Sequence, residues 1–352
     1  MKKVLMKGNE ALAEGALIAG CRGFFGYPIT PSSEIAEYMA RKLPKIGGAF
    51  IQAESELAAI NMIYGGSSTG TRVMTASSGP GISLKQEGIS FISEAELPCL
   101  IVNVSRGGPG LGGIQPSQAD YFQATRGGGH GDYRIIVLAP SSSQEMMDLA
   151  ILAFELADKY RTPVMIMAEG TLGNLMEPVI VREAVTEFLD KPWATTGCVG
   201  RKPNVINTLH LSQEELEGRN RHLTEKYKMI SKNEKRAESF LLDDAEIVVV
   251  AFGLLARIIK KSVMEARKKG VKAGLIRPVT LWPFPDEHIQ AVSRTARTIL
   301  SVEINMGQMV EDIRLAAGGK IPVEFYGRIG FTPNPEEITR QLLFIAEREG
   351  LL

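Results

Sequence analysis

Three groups of residues in this chain are of types and spacings that could do chemistry. Tyr27-Pro28-Ile29-Thr30-Pro31-Ser32-Ser33-Glu34 gathers hydroxyls at a forced turn into a helix. Gln52-Ala53-Glu54-Ser55-Glu56-Leu57-Ala58-Ala59 sets carboxylates at the start of an apolar helix. Ser105-Arg106-Gly107-Gly108-Pro109-Gly110 puts a guanidinium at the end of an apolar strand, the ligand edge of an open α/β sheet. A buried acid beside a hydroxyl-lined pocket suits proton transfer to and from a cofactor, and an arginine there can fork onto a carboxylate.

Each group also has a plainer reading. Pro31 at the first helical position would make Thr30 an ordinary N-cap, but a helix N-terminus equally attracts an anion such as a substrate carboxylate. Glu54 and Glu56 could simply favour the helix dipole. On a helical wheel Leu57, Ala58 and Asn61 share the Glu54 face, and Ala59, Ile60 and Ile63 the Glu56 face. Apolar residues on both faces predict a buried helix, in which desolvation would push an unpaired carboxyl upward. Periodicity does not choose between the two acids. Arg106 could serve a structural ion pair. Ser77-Ser78-Gly79-Pro80-Gly81-Ile82-Ser83 is a strand-to-helix turn whose small residues let a ligand approach the backbone, without the Gly-Lys-Ser/Thr ending of a P-loop. His130 is one of four histidines and lies in the glycine loop 127–132, where an inert solvent-facing imidazole is weighed against a place in the site.

The elements that must position these residues alternate. Helix Ala11–Ala19, strand Cys21–Tyr27, strand Val73–Ser77, strand Pro98–Val104, strand Arg134–Ala139, helix Met146–Tyr160 and strand Pro163–Ala168 predict a mostly parallel, two-sided sheet over 1–190. Residues 191–243 shift in composition. Gln213–Glu238 is charge-rich and reads as an exposed helical connector. A second α/β unit occupies 244–352, with strands at Glu246–Ala251, Lys272–Arg277 and Thr298–Glu303 and a closing helix at Glu336–Glu349. No internal repeat is visible.

The bulk composition narrows the class. The 352 residues suffice for two cores, 44% are hydrophobic, and 40 basic residues balance 40 acidic ones. Zero net charge argues against coating nucleic acid or an acidic membrane. Cys21, Cys99 and Cys198 form no C-x-x-C, so no zinc or iron–sulfur motif is readable, and isolated cysteines fit a reducing, cytoplasmic setting. Glu10 and Glu14 interrupt any apolar run near the start, which argues against a signal peptide, and no apolar stretch is long enough to span a bilayer.

Taken in order, Tyr-Pro-Ile-Thr-Pro-Ser-Ser-Glu, Gln-Ala-Glu-Ser-Glu-Leu-Ala, Ser-Gly-Pro-Gly-Ile-Ser-Leu-Lys-Gln-Glu-Gly and Ser-Arg-Gly-Gly-Pro-Gly resemble the α-type chain of thiamine diphosphate-dependent 2-oxoacid:ferredoxin oxidoreductases. The resemblance covers essentially the whole chain. Residues 244–352 resemble a transketolase C-terminal-type domain through Arg277-Pro278-Val279-Thr280-Leu281-Trp282-Pro283-Phe284 and Val302-Glu303-Ile304-Asn305-Met306-Gly307. The resemblance implies a doubly wound pyrimidine-type thiamine diphosphate domain followed by that second domain. It assigns Glu54, not Glu56, to the acid that bonds the aminopyrimidine nitrogen N1′. It assigns Thr30 and Arg106 to the substrate; His130 is taken as a candidate substrate contact from its glycine loop, and Tyr27, Pro28, Ser78 and Gly79 as candidate cofactor contacts. The implied reaction is the coenzyme A-dependent oxidative decarboxylation of a 2-oxo acid with reduction of ferredoxin. Gly113–Ala124 and the chain's start most resemble the type acting on 3-methyl-2-oxobutanoate. The 2-oxoglutarate type is the nearest rival, for which Arg126 could supply a second cation.

No Gly-Asp-Gly…Asn motif for a metal-bound diphosphate and no cysteine cluster is readable, so no metal ligand is assigned in this chain. The resemblance therefore implies a diphosphate-binding β subunit carrying Mg²⁺. It also implies a γ subunit, a ferredoxin-like subunit with iron–sulfur clusters, and an external ferredoxin. The competing class is a non-catalytic α/β module that holds a phosphate ligand at Ser78–Gly81, or a scaffold subunit that keeps only the fold. The absence of G-x-G-x-x-G at the first strand turn weighs against the module.

Overall fold

A computed structural model describes residues 3–352. Seven strands form the first sheet, in the spatial order Thr280–Trp282, Ile136–Leu138, Pro163–Glu169, Cys99–Ser105, Val73–Ser77, Gly23–Gly26 and Ala49–Gln52. All neighbours are parallel except Thr280–Trp282, which runs antiparallel to Ile136–Leu138. The three central strands are buried along their whole length, as their largely apolar sequences require of strands covered on both faces. Alternation sorts their side chains. Met74, Ala76, Leu100 and Val102 pack with helices Gly8–Ile18 and Ser143–Tyr160. Val73, Cys99, Ile101 and Met165 join the opposite core with Ile60, Ile63 and Ile89.

A second sheet has the order Val323–Gly327, Thr298–Glu303, Ile247–Val250, Ala273–Pro278, Ala237–Phe240, parallel except for the last strand. Its Val248, Val250, Ile276 and Ile299 belong to the same core as Val73 and Ile101, so the two sheets share one apolar layer. The sequence ranges 1–190, 191–243 and 244–352 are more interleaved than they read. Thr280–Trp282 leaves the second unit to edge the first sheet, and Ala237–Phe240 leaves the connector to edge the second. Arg277 fixes the crossing. It is buried, and it holds Glu145 at 2.8 Å and Glu238 at 2.7 Å just before the chain changes sheets. That is the structural work of the Arg-Pro-Val-Thr-Leu-Trp-Pro-Phe stretch.

The connector also differs from its expected exposure. Helix Gln213–Asn233 buries Leu223, Tyr227 and Ile230 against the first domain. Glu96 anchors it, accepting from Arg219 at 2.7 Å, His222 at 3.1 Å and Lys226 at 3.0 Å. Burial raises the Glu96 carboxyl, but Lys226, Arg219 and His222 outweigh it and hold the group down to about 2. Among the described residues no helix is long and apolar enough to cross a membrane.

The Glu96 clasp gives a pH prediction. A carboxyl with a depressed folded pKa stabilises above its ordinary value near 4.5 and loses that contribution as pH falls toward 2. Hydrogen exchange should find Gln213–Asn233 equally protected from pH 5 to 7 and progressively open below about pH 4.5. Glu96→Gln strands buried Lys226 beside Arg219 and should lower stability by about 3 kcal/mol at pH 7. A melting temperature unchanged by that substitution would contradict the clasp.

Candidate functional site

The C-terminal edge of the first sheet is where the chemistry-bearing segments meet. Gly26 pairs with Gln52 across two parallel strands, and Ala53 N donates to Gly26 O at 2.9 Å. Tyr27 and Glu54 therefore leave adjacent strands at one edge. Ser78-Gly79 follows the next strand and Arg106 the one after it.

The Tyr27–Glu34 turn is held through its carbonyls. Ile29 O accepts from Ser32 N at 2.9 Å and from Ser32 Oγ at 2.8 Å. Thr30 O accepts from Arg106 Nη1 at 2.9 Å, and Pro31 O from Asn9 Nδ2 at 2.9 Å. The helix that follows begins at Ser33 with Ser32 at the cap position, not at Pro31. Thr30 thus does not cap it. The closed Ile29–Ser32 turn intervenes and leaves Thr30 exposed.

Arg106 is buried, and no carboxylate lies within ion-pair distance of it among the described residues. Its partners are carbonyls, with Nη2 donating to Leu111 O at 3.0 Å. The ion-pair reading is thereby replaced by a backbone clamp. Its Nε is buried and unpartnered, as are Ser77 Oγ, Ser78 Oγ and Ser105 Oγ on the neighbouring strand ends. Gly79 has φ 41°, and a Cβ there would come within 3.5 Å of the Arg106 side chain. A positive-φ glycine packed on Arg106 beside unspent buried polar atoms marks a strand end whose backbone a ligand could approach closely.

The two acids part company. Glu56 opens helix Glu56–Ser68 and is 7% exposed. Lys85, fully buried, donates from Nζ to Glu56 O at 3.4 Å. Burial lowers Lys85 to about 8, against the pull of Glu56. Glu54 stands before the cap residue Ser55 and is exposed, its Oε1 accepting from Ser55 Oγ at 3.0 Å. The expected burial of the whole helix is thus corrected. Ala59, Ile60 and Ile63 face the core, but Leu57 is 47% exposed and Asn61 faces solvent. This chain alone does not enclose Glu54. Tyr27, Ile51, Leu57 and Leu84 lie exposed on the segments that leave this edge.

His130 is not brought to this edge. The loop 127–132 is drawn onto helix Pro80–Glu94, where Tyr133 OH accepts from Gly128 N and Gly129 N and donates to Gln86. His130 packs edge-on to Phe91, 11 residues along that helix from Pro80, or roughly 16 Å at 1.5 Å per residue. It lines a cavity of about 400 Å³ with Glu94, His210 and Arg219 instead. Arg126 is likewise engaged, holding Asp312 at 3.2 Å and Glu311 at 3.5 Å.

Residue patterns did not reveal Asn103 and Asp120, which lie behind Arg106. Asn103 Nδ2 donates to Asp120 Oδ2 at 2.9 Å. Burial pushes the Asp120 carboxyl up, against the Asn103 bond and the Arg106 charge. An amide inside a buried strand was the available signal, since such a group needs a partner. No group of three or more His, Cys, Asp or Glu is gathered at metal-binding distance among the described residues.

Comparisons with known proteins agree with this geometry. Residues 14–237 match the family described as pyruvate flavodoxin/ferredoxin oxidoreductase, thiamine diphosphate-binding. Residues 245–338 match the pyruvate:ferredoxin oxidoreductase core domain II. The chain is 52% identical to the ketoisovalerate oxidoreductase subunit VorB of Methanothermobacter marburgensis, over 94% of each chain. It is 40% identical to the 2-oxoglutarate synthase subunit KorA of Methanocaldococcus jannaschii, over 97% of this chain and 100% of that one. Among solved structures, 2-oxoglutarate:ferredoxin oxidoreductase from Magnetococcus marinus matches with a TM-score of 0.85 at 27% identity; the match covers 99% of this chain and 65% of that one. A split-gene transketolase matches in fold, with a TM-score of 0.60 at 12% identity. The ordered strand-end motifs, both family matches and the near-full-length relatives together establish that this chain belongs to the thiamine diphosphate-dependent 2-oxoacid:ferredoxin oxidoreductases.

Proposed function

We propose that this chain is the subunit that supplies the acid and the substrate-carboxylate contacts of a 2-oxoacid:ferredoxin oxidoreductase acting on 3-methyl-2-oxobutanoate. The observation that carries the proposal is the shared sheet edge. Glu54 is exposed there, beside the clamped Thr30 turn and the unpartnered polar atoms of Ser77, Ser78, Ser105 and Arg106. The substrate assignment rests on the 52% identity to a ketoisovalerate oxidoreductase subunit. The engagement of Arg126 by Asp312 and Glu311 also supports it, since 2-oxoglutarate would need a cation left over for its second carboxylate.

The residues fit one end of thiamine diphosphate. Glu54 would hold a proton at the pyrimidine N1′, Tyr27 and Pro28 would flank the ring, and Ser78 and Gly79 would offer the close backbone approach. When bound, the cofactor supplies the carbon nucleophile and electron sink for decarboxylation. Thr30 and the remaining Arg106 donors orient the substrate carboxylate. We assign the diphosphate and Mg²⁺ to a β subunit that also covers Glu54 and dries its surroundings. A γ subunit and an iron–sulfur subunit would complete the path to ferredoxin, and coenzyme A would accept the acyl group. Glu56 stays inside this chain as the neighbour of Lys85 and takes no part.

This division between the acids is testable in the reconstituted complex. Glu54→Gln should lower kcat by about 10²–10⁴-fold while changing stability by less than about 0.5 kcal/mol, since the residue is exposed. Glu56→Gln should do the reverse, lowering stability by roughly 2 kcal/mol with kcat nearly retained, because buried Lys85 loses its counter-charge. Steady-state turnover and thermal melts measure both, and an active Glu54→Gln enzyme would remove Glu54 from the mechanism. A panel of 2-oxo acids should give the highest kcat/KM with 3-methyl-2-oxobutanoate, and a preference for 2-oxoglutarate would overturn the substrate assignment. Arg106→Lys keeps the charge but loses the fork that reaches Thr30 O and Leu111 O. It should raise KM for the 2-oxo acid about tenfold.

A further inference from the structure

Arg106 opens a loop that ends at Gln118, a side chain bonded to both domains at the junction of the two sheets. Gln118 is fully buried. Its Nε2 donates to Glu169 Oε1 at 2.6 Å and to Phe252 O at 3.1 Å. Its Oε1 accepts from Ile304 N at 3.1 Å. Its backbone N donates to Ile304 O at 2.8 Å, and its backbone O accepts from Asn305 Nδ2 at 3.1 Å. The residues after it are docked on the same neighbour. Gln308 donates to Ala119 O at 2.7 Å and accepts from Phe122 N at 2.8 Å, and Tyr121 OH donates to Asp312 at 2.7 Å.

Glu169 is itself fixed. It ends the strand Pro163–Glu169 and lies against the start of helix Gly253–Lys268, where Leu254 N donates to its Oε2 at 3.4 Å. A Cβ on Gly253 would come within 2.3 Å of Glu169 Oε1, so only glycine lets the carboxylate seat there. Burial raises this carboxyl, opposed by Gln118 and the Leu254 amide. Glu303, also buried, is consumed within the second domain by Ser301 Oγ and the amides of Met309 and Val310.

We propose that Gln118, held by Glu169, is a positioning residue for substrate binding. It fixes the far end of the loop that begins at Arg106, and so fixes the guanidinium that clamps the Thr30 turn. The inference rests on the reading that Thr30 and Arg106 face the substrate carboxylate. Its chemical content is a directional bond, amide donor to carboxylate acceptor, at 2.6 Å, against 3.4 Å for the Leu254 amide on the other oxygen. The second domain contributes through Phe252 O and Ile304 N, which hold the same amide.

Gln118→Glu tests the proposal in the reconstituted complex. The new carboxyl would face Glu169 across the distance now spanned by the 2.6 Å bond, with Glu303, Asp120 and Arg106 the other charged groups near the junction. Two carboxyls this close share one proton at low pH, and the shared proton replaces the donor to Glu169 while Phe252 O loses its own; at high pH both ionise and repel. KM for the 2-oxo acid should lie within about threefold of wild type at pH 6 and rise about tenfold or more by pH 8.5, with kcat changing less. Wild type should show no such rise. The double variant Gln118→Glu/Glu169→Gln restores one donor and one acceptor and should flatten the profile. A Gln118→Glu enzyme whose KM stays flat with pH while its melting temperature falls would make the junction structural only and overturn the proposal. Should Gln118→Glu fail to assemble, Glu169→Leu, which removes the acceptor, is measured alone, and an unchanged KM there overturns it equally. Arg106→Lys serves as the reference. If its KM is unchanged, the underlying reading fails; if its KM rises while Gln118→Glu stays flat, only this inference fails.

Discussion

The site depends on one buried guanidinium whose charge is answered by carbonyls. Among the described residues Arg106 has no carboxylate partner, and its bonds to Thr30 O and Leu111 O join two loops that leave different strands. A buried cation is costly unless its donors are met, so those two loops have little freedom to leave it. Asn9 and Ser32 secure the flanking carbonyls of the same turn. The result is a rigid backbone ridge with its hydroxyl-bearing side outward. The same guanidinium keeps Nε unspent beside Gly79, so the clamp and the ligand surface are one object.

What this chain does not provide is enclosure. Glu54 is exposed, and apolar Tyr27, Ile51, Leu57 and Leu84 stand exposed on the same edge. An acid that shares a proton with a cofactor works best in a dry, low-dielectric setting, and a solvated carboxylate lacks it. Exposed apolar groups around an exposed acid are the complement of a second surface that would cover both. On the proposed function, this chain would supply half of a catalytic pocket that assembly completes. Its buried charges, Glu56 with Lys85 and Glu96 with Lys226, serve the scaffold instead.

The sequence made some of this plain and hid the rest for identifiable reasons. Central strands such as Val73–Ser77 and Thr298–Glu303 were legible because burial on both faces makes them mostly apolar and β-branched. Edge strands Ala49–Gln52, Met176–Ile180 and Val323–Gly327 were not, since partial exposure leaves them mixed in composition. The crossing of Thr280–Trp282 into the first sheet is a long-range pairing that no local pattern encodes. The candidate site residues could be named from ordered motifs, but their burial could not. Helix periodicity favoured two buried acids, whereas Ser55 at the cap leaves Glu54 outside the helix and Glu56 within it. His130 was misplaced because its loop is set by Tyr133, a contact invisible to spacing. Gln118 lay inside a stretch that carried the family resemblance, yet its partners come from 51 and 186 residues away.

The central claim is that the cofactor site is shared between this chain and a partner. Calorimetric titration of thiamine diphosphate with Mg²⁺ tests it most directly, using this chain alone, the partner alone and the two together. The account predicts tight, saturable binding only for the assembled pair, with the Glu54→Gln pair weakened in comparison. Equally tight binding by this chain alone would contradict it.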